Sequence, residues 1–187
     1  MLVATNNSRM NCNKTVRTML NRGPFPEDGD KVVCLENYWE TFSTKGNSLV
    51  NGTIGYLNKP VLDTTIKLPY YLHLSTNPIV YLNTDLITDD NDRFFDLYVD
   101  QNKIITGEPL LEWRDKYILT QRKYKVGDWV PREFDYGYAI TCHKAQGSQW
   151  SKVFILEENF PFQKEEHARW LYTAITRAEE KAIIVRN

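Results

Sequence analysis

Side chains suited to phosphate contacts are concentrated in two short segments. The first is residues 140–149, ITCHKAQGSQ, where an apolar run is followed by hydroxyl, imidazole, ammonium and amide groups. Gly147 within it permits close approach of the backbone to a ligand. The second is residues 171–178, LYTAITRA, in which Arg177 falls at the end of a helical pattern. A rigid guanidinium in that position can stabilise the charge that accumulates during phosphoryl transfer.

Other interpretations of these residues remain open at this level. Arg9, soon after the apolar start of the chain, could supply a second guanidinium. Periodicity alone favours a simpler interpretation, in which Arg9 and Arg177 are surface residues paired with carboxylates such as Glu179 or Glu180. Cys142 and His143 are not expected to form a catalytic dyad, because adjacent strand residues point to opposite faces of a sheet.

The sequence lacks the pattern that grips a nucleotide's β- and γ-phosphates. No Gly-x-x-x-x-Gly-Lys-Ser/Thr run occurs in it. Residues 153–158, VFILEE, imitate the apolar strand and acidic pair that hold magnesium in such enzymes, but we predict a structural strand with a solvated acidic end. The aspartate-rich segment 85–100 lacks the glycine and closing glutamate of a calcium loop counted from Asp89.

The elements that must position these residues are predicted from periodicity and turn signals. An apolar strand at 1–4, capping residues at 5–8 and a helix at 9–20 begin the chain. Short β-type pieces follow at 31–35, 52–57, 61–68, 70–74, 93–99 and 117–121, with turns such as 58–60 and no convincing helix. Strands at 138–141, 152–156 and 182–186 and a helix at 164–178 end it. We therefore predict a discontinuous α/β domain, 1–27 with 135–187, interrupted by a β-rich insert at 28–134.

Composition restricts the class of protein. With 42% hydrophobic residues the chain can bury a core, and its apolar runs are shorter than the roughly 18 to 20 residues that span a bilayer, so no membrane role is expected. A net charge of −1 means that any nucleic-acid contact must be local. The basic and aromatic segment 114–125 could make one, although a solvated face is the simpler explanation. Three widely spaced cysteines predict reduced thiols and no metal site.

Taken together, the segments resemble the C-terminal half of superfamily 1 DNA helicases, in the RecD/Dda/Pif1-like branch that includes the exodeoxyribonuclease V alpha subunit. Residues 140–149 look like motif V, residues 171–178 look like motif VI, and residues 1–9, MLVATNNSR, are similar to motif IV. The resemblance implies an α/β, RecA-like domain of the P-loop NTPase type without its own P-loop, named 2A. It also implies that the insert is the SH3-like 2B domain.

The resemblance assigns roles to individual residues. Two arginines would face the γ-phosphate of ATP, Arg177 as the arginine finger of motif VI and Arg9 as the arginine of motif IV. The motif V residues implied to lie beside the nucleotide are Gln146, Gly147 and Gln149, the last standing where relatives often carry glutamate. The residues implied to bind DNA are Thr141, His143, Lys144 and Ser148.

The implied activity is ATP-dependent movement along one DNA strand, 5′ to 3′, with unwinding of the duplex. ATP and Mg²⁺ would be bound mainly by an N-terminal RecA-like half that this sequence does not contain, so we expect no ATP hydrolysis from this chain alone. That half, single-stranded DNA and other recombination or replication proteins are the expected partners. The expected location is the cytoplasm of a bacterial or phage-infected cell.

Two other functions stay open. A helicase half that has lost its motor role could bind DNA or a protein through the β-rich insert, and such binding would survive loss of Arg9 and Arg177. A viral-type RNA helicase is the third possibility. The block 143–148, HKAQGS, and the Thr-Arg-Ala ending of the second segment favour the DNA branch.

Overall fold

The computed structural model describes residues 1–63, 81–109, 111, 131–158 and 163–186. They divide into two compact units, Met1–Arg22 with Gly137–Asn187 and Gly23–Tyr136, called the α/β unit and the β unit below. No helix among the described residues is both long and apolar enough to cross a bilayer. In chain order the described elements are β1 (Leu2–Val3), α1 (Asn6–Met19), β2 (Lys31–Cys34), β3 (Tyr38–Phe42), β4 (Ser48–Leu49), β5 (Ile54–Asp63), β6 (Tyr81–Thr88), β7 (Arg93–Asp100), α2 (Gln101–Thr106), β8 (Phe134–Tyr136), β9 (Ile140–Thr141), β10 (Trp150–Glu157), α3 (Lys164–Ile175) and β11 (Ala178–Arg186).

The α/β unit is built on a parallel sheet with strand order β11-β10-β1-β9. Leu2 pairs with Ile140 on one side and with Ile155 on the other, so the first strand of the chain lies between two strands from its C-terminal part. These apolar residues are all buried, which is typical of parallel strands covered on both faces. The predicted α/β class is confirmed, and the structure shows that its sheet is parallel.

Helix α1 starts earlier than predicted because the capping residue lies further upstream. Thr5 is extended, and its side chain accepts a hydrogen bond from the N–H of Ser8 at 3.1 Å. The predicted capping residues 6–8 are therefore already helical. Further along the helix, Asn13 is buried and pairs its side-chain amide with the backbone of Ala139, which ties α1 to the start of β9.

The last helix and strand have different limits from those predicted. Helix α3 ends at Ile175 rather than at 178, and β11 begins at Ala178 rather than at 182. Glu179, Glu180 and Lys181 are exposed, so the amino-terminal half of β11 has no apolar face that could show in the sequence. Pairing with β10 decides its structure, since Trp150 is partnered with Ala178.

The β unit contains an antiparallel sheet with strand order β7-β6-β5-β2-β8 and a separate hairpin of β3 and β4. Predicted strands at 31–35, 52–57 and 93–99 correspond to β2, β5 and β7, whereas those at 70–74 and 117–121 and the end of that at 61–68 lie outside the described residues. The basic segment 114–125 also lies outside them. The SH3-like class of this insert remains a prediction.

Two sequence predictions for the β unit are wrong. A short helix, α2, interrupts the strands; Asp100 caps it by accepting from the N–H of Lys103, and Gly107 ends it in a left-handed conformation with φ of 83°. Residues 58–60 do not form a turn between strands. They lie inside β5, where the register with β6 shifts and Lys59 has a φ of 50°, so the breaker residues form a β-bulge.

The aspartate-rich segment has a structural role in the β unit. Asp92 accepts hydrogen bonds from the hydroxyl of Thr44 and the N–H of Lys45, both at 3.0 Å, and from the amide of Asn47 at 2.9 Å. It thereby holds the loop between β3 and β4. Among the described residues no group of three or more His, Cys, Asp and Glu side chains is placed to hold a metal ion.

Candidate functional site

The predicted site residues lie at the two edges of the parallel sheet. All strands of this sheet run in one direction, so β1, β9 and β10 end at one side, called the carboxyl edge, and β10 and β11 begin at the other, called the amino edge. Residues 142–149 connect the end of β9 with the start of β10. This connection, called the V loop, therefore runs from the carboxyl edge to the amino edge.

Turn-like hydrogen bonds hold the first part of the V loop. The N–H of Ala145 donates to Thr141 O at 3.1 Å, and the N–H of Gln146 donates to His143 O at 3.3 Å. Gly147 then adopts a φ of 86°, a conformation that is strained for other residues. A Cβ added to it would meet no atom within 4 Å, so the space beside this glycine is open to an approaching ligand.

At the amino edge the end of the V loop meets the segment that follows α3. The N–H of Trp150 donates to Arg177 O at 2.9 Å, and the side chain of Gln149 donates to Thr176 O at 3.4 Å. In the reverse direction Arg177 Nη1 donates to Ser148 O at 3.4 Å. The structure thus brings Ser148, Gln149 and Arg177 together.

The guanidinium of Arg177 is oriented by its own helix end. Its Nε donates to Thr173 O at 3.2 Å and its Nη2 donates to the hydroxyl of Thr176 at 3.2 Å. With the bond to Ser148, these contacts use three of the five N–H groups of the side chain. Backbone and hydroxyl oxygens therefore take the place of the surface carboxylates, Glu179 or Glu180, that the simpler sequence interpretation paired with Arg177.

The charge of Arg177 also acts on the buried thiol at the start of the V loop. Burial raises the pKa of Cys142, and the nearby Arg177 cation opposes that rise. The thiol faces inward toward Trp170 O at 3.9 Å, whereas the neighbouring His143 is exposed. The thiol is therefore buried, while the adjacent imidazole is open to solvent.

At the carboxyl edge Thr141 forms the last residue of β9. Its side chain is buried, and its Oγ1 accepts from the N–H of Lys144 at 3.4 Å. His143 is exposed and Lys144 is half-buried, so these two side chains border the surface next to Thr141. Three of the four residues predicted to bind DNA therefore lie together, while Ser148 lies with Arg177 at the amino edge.

Arg9 also belongs to the carboxyl edge. It follows β1 and lies in the first turn of α1, where its N–H donates to Thr5 O at 3.0 Å. The side chain is half-buried, and burial lowers the pKa of its guanidinium.

The backbone positions of the two predicted arginines are at opposite edges of the sheet. Arg9 follows the end of a strand, whereas Arg177 precedes the start of one. Leu2 is level with Ile155 in the sheet, and the five residues from Trp150 to Ile155 correspond to about 16 Å of strand. Joint contact of both arginines with one phosphate, which the family resemblance implied, stays a prediction.

The acidic pair at the end of β10 is engaged rather than solvated, which corrects the sequence prediction. Glu157 accepts from His167 at 2.9 Å and from Arg186 at 2.6 Å. Hydrogen bonds from these two partners hold the pKa of Glu157 below its usual range. Glu158 accepts from the N–H of Ala4 at 2.8 Å and from the hydroxyl of Ser8.

A pocket of about 340 Å³ lies between the V loop and α3. Its lining includes His143 and Gln146, two of the predicted residues. Sequence reasoning missed the side chains that α3 contributes, which are Glu166, Arg169, Trp170 and Thr173. Their spacing of three and four residues places them on one helix face, and this periodicity was the signal available in the sequence.

The described residues fit one side of a nucleotide site. Arg177 has N–H groups left for a phosphate, and Gly147 leaves room for a ligand beside the backbone. The carboxylates that a magnesium ion would require do not form a cluster among the described residues. Arg177 and Gly147 could therefore contact a polyphosphate, whereas Mg²⁺ would need ligands from elsewhere.

Part of the chain matches a known protein family. Residues 136–185 match the family of UvrD-like helicase C-terminal domains. The matched segment contains β9, the V loop, β10, α3 and nearly all of β11. The chain resembles the C-terminal part of a superfamily 1 helicase. No curated protein sequence matches the chain significantly.

A solved structure extends this likeness beyond the matched segment. The Pif1 helicase from Candida albicans aligns with a TM-score of 0.52 and 16% sequence identity, covering 98% of this chain and 44% of that chain. At this identity the likeness shows a shared fold only. The chain spans less than half of the length of that helicase. The predicted resemblance to a superfamily 1 helicase is thus confirmed, and the parallel sheet resembles a helicase RecA-like domain.

Proposed function

We propose that this chain is the C-terminal motor half of an ATP-dependent DNA helicase of the RecD-like branch, which moves along single-stranded DNA from 5′ to 3′ and unwinds the duplex ahead of it. The β unit would be the SH3-like 2B domain of such an enzyme. DNA repair or recombination is the process to which this activity belongs. The N-terminal RecA-like half would be the main partner.

One observation carries the proposal: motif V and motif VI are joined by direct contacts. Arg177 and Gln149 each donate a hydrogen bond to the backbone of the other motif. A shift of the arginine would therefore move the V loop, and a shift of the V loop would move the arginine. Because the same loop directly follows Thr141 on the opposite edge, it links the two edges of the sheet.

The proposed mechanism assigns a different task to each edge. At the amino edge, Arg177 uses its remaining N–H groups to stabilise charge on a phosphoryl group held by the other half, while Gly147 allows the backbone to approach. At the carboxyl edge, His143 and Lys144 contact the DNA strand. Movement of the V loop as the two halves close and open would couple hydrolysis to translocation.

The test is single-strand-stimulated ATP hydrolysis by the longest natural product of the gene, with Arg177→Ala, Arg177→Lys and the control Arg93→Ala. Arg93 is an exposed arginine of the β unit, so its loss removes an equal charge without changing the α/β unit. We expect Arg177→Ala to lower kcat by about 10³-fold or more, as for other arginine fingers. Arg177→Lys should keep little of the original kcat, because lysine lacks the bidentate fork of a guanidinium.

A different result would reject this role. Equal turnover by the unaltered protein and Arg177→Ala would remove Arg177 from the phosphoryl-transfer site. Robust turnover by the 187-residue chain alone would show that the site does not need a second half.

A second candidate is a non-catalytic binding module, and exposed aromatic residues of the β unit favour it. Trp39, Phe42 and Phe95 are 64%, 62% and 54% exposed. Such side chains can stack on nucleic-acid bases or pack against a protein. This candidate predicts tight binding that survives Arg177→Ala but is lost when Trp39 and Phe42 are both replaced by alanine.

A further inference from the structure

The β unit contains a pocket of about 500 Å³ beside the hairpin of β3 and β4, called the Trp39 pocket below. Its aromatic surface comes from Phe94, which is buried, and from Trp39, which is 64% exposed. Polar groups from the hairpin and from the turn between β6 and β7 complete the lining, among them Asn47, Asp90 and Asp92. The pocket therefore combines an indole that is open to solvent with two carboxylates.

The two carboxylates of the Trp39 pocket have different tasks. Asp92 is 3% exposed and accepts hydrogen bonds from the hairpin, so it serves the structure. Asp90 lies at the surface, where it accepts from the hydroxyl of Thr88 and from Lys45 Nζ, the latter at 2.9 Å. The side chains of Lys45 and Asp90 are 48% and 67% exposed, and surface pairs of this kind contribute little to stability. The carboxylate of Asp90 is therefore available to a second cation.

The surroundings of the pocket are negative, although the whole chain carries a net charge of only −1. Residues 85–96 contain five aspartates and one arginine. Glu40, which follows Trp39 in β3, is also exposed. A negative surface repels the phosphate backbone of a nucleic acid and attracts basic groups. The charge therefore favours a basic protein segment over DNA or RNA as the occupant of the pocket.

A guanidinium group has the chemistry that this lining can bind. It is attracted to the face of an aromatic ring, for which the indole of tryptophan is the best platform, and its fork of N–H donors matches a carboxylate. It is also more weakly hydrated than an ammonium group. Trp39 and Asp90 offer the ring and the carboxylate within one pocket.

We propose that the Trp39 pocket binds an arginine side chain presented by a basic segment of a partner protein. Trp39 supplies the stacking surface and Asp90 the opposite charge, while Asp92 holds the hairpin loop beside them. The arginine takes the place of Lys45 as the partner of Asp90. This site lies entirely in the β unit, so it depends neither on ATP hydrolysis nor on the DNA contacts proposed for the α/β unit.

The experiment measures the affinity of the 187-residue chain for a fluorescent tetra-arginine peptide by fluorescence anisotropy. A tetra-citrulline peptide is the matched probe, because citrulline keeps the planar shape of arginine without its charge. A fluorescent oligothymidylate is measured alongside the two peptides. Circular dichroism and the melting temperature establish that each variant is folded.

Each variant has a control that differs from it only in relation to the pocket. Trp39→Ala and Trp39→Leu remove the indole, the second keeping an apolar side chain in case the first does not fold. Their control is Phe42→Ala, since Phe42 is 62% exposed on the same strand but is not among the described residues that line the pocket. Asp90→Asn removes the pocket charge, and Asp89→Asn removes that of an exposed neighbour which pairs with Lys31 and is likewise not among those residues.

We expect both Trp39 variants to weaken binding of tetra-arginine about fivefold, because neither alanine nor leucine offers a π surface. Asp90→Asn should weaken it about threefold, whereas Phe42→Ala and Asp89→Asn should each change it by less than about twofold. The unaltered chain should bind tetra-citrulline about tenfold more weakly than tetra-arginine, because the uncharged side chain loses both contacts.

Several results would overturn the proposal. Equal losses in Asp90→Asn and Asp89→Asn would show that the general negative field, and not the pocket, attracts the peptide. Unchanged binding by Trp39→Leu, or equal affinity for the two peptides, would reject recognition of a guanidinium by the indole. If the folded, unaltered chain does not bind tetra-arginine even at low salt but binds the oligothymidylate in a manner that requires Trp39, the pocket belongs to nucleic-acid bases instead.

Discussion

Asn13 provides the sharpest test of how α1 is attached to the sheet. Its Nδ2 donates to Ala139 O at 3.0 Å, and its Oδ1 accepts from the N–H of Ala139 at 2.7 Å. The side chain is only 2% exposed. It thereby supplies both hydrogen bonds that a further strand would have given Ala139 at the outer side of β9.

Replacing Asn13 by alanine removes both bonds and leaves a buried N–H and a buried carbonyl without them. Each buried group left unsatisfied costs about 1 to 3 kcal/mol, so with two such groups we expect the free energy of unfolding to fall by about 2 to 6 kcal/mol. The matched control is Asn11→Ala. Asn11 is exposed on the same helix, so the control gains the same helix propensity, about 0.7 kcal/mol or less, without losing a buried contact.

Two measurements check this prediction. Urea denaturation gives the change in stability, and amide hydrogen exchange at Ala139 and Ile140 reports on the α/β unit separately. A loss of 2 kcal/mol corresponds to about 30-fold faster exchange when exchange occurs through opening of this unit. If Asn13→Ala and Asn11→Ala agree within about 0.5 kcal/mol and exchange at Ala139 is unchanged, the pairing of α1 with β9 does not contribute as inferred.

The remaining predictions concern single residues. The two partners of Glu157 lower its pKa in the folded state. Its contribution to stability is therefore present above the unfolded pKa of about 4.3 and is lost as pH falls through the lower folded pKa. Glu157→Gln should make stability depend less on pH in that window, and an unchanged acid unfolding curve would refute this. Asp92→Ala removes the hydrogen bonds that hold residues 43–47, so amide exchange there should become about tenfold faster or more. The control Asp89→Ala removes only a surface ion pair and should leave this exchange unchanged. Equal exchange rates in the two variants would contradict the role of Asp92. Gly147 and Gly46 both have a positive φ and open space at Cβ, so replacing either by alanine should lower stability by about 1 kcal/mol. Only Gly147→Ala should also reduce ATP hydrolysis by the longest natural product of the gene.

Some of the fold could be predicted because local signals agreed with the tertiary structure. Val153 and Ile155 lie in an apolar run of the length of a buried strand, and β10 was expected from it. The start of β11 was missed because Glu179, Glu180 and Lys181 carry no strand signal, and pairing with the longer β10 makes them extended. The breaker residues 58–60 indicated a turn, but flanking pairs with β6 on both sides keep them in a strand.

The residue types of the candidate site could be predicted, but their grouping could not be obtained from motif assignments alone. Motif order does not state which edge of a sheet a residue occupies. Chain direction does: Arg9 comes after a strand and before its helix, whereas Arg177 comes after a helix and before its strand. In a parallel sheet these positions are opposite edges. Ser148 could not be assigned in this way, because its contact with Arg177 depends on the path of the V loop.

The roles of the acidic pair required three-dimensional contacts. Glu157 and Glu158 differ by one position, yet the first binds His167 and Arg186 while the second binds the turn before α1. No local pattern separates them, because their partners are distant in the sequence. The sequence prediction of a solvated strand end was based on residue types alone, and residue types do not identify partners from other parts of the chain.

The most direct test of the motor proposal is strand displacement by the longest natural product of the gene on duplexes that carry either a 5′ or a 3′ single-stranded tail. The proposal predicts ATP-dependent displacement from the 5′-tailed duplex, with loss of displacement but not of DNA binding in Arg177→Ala. Tight binding to both duplexes without displacement in the presence of ATP would contradict it and would favour the binding module.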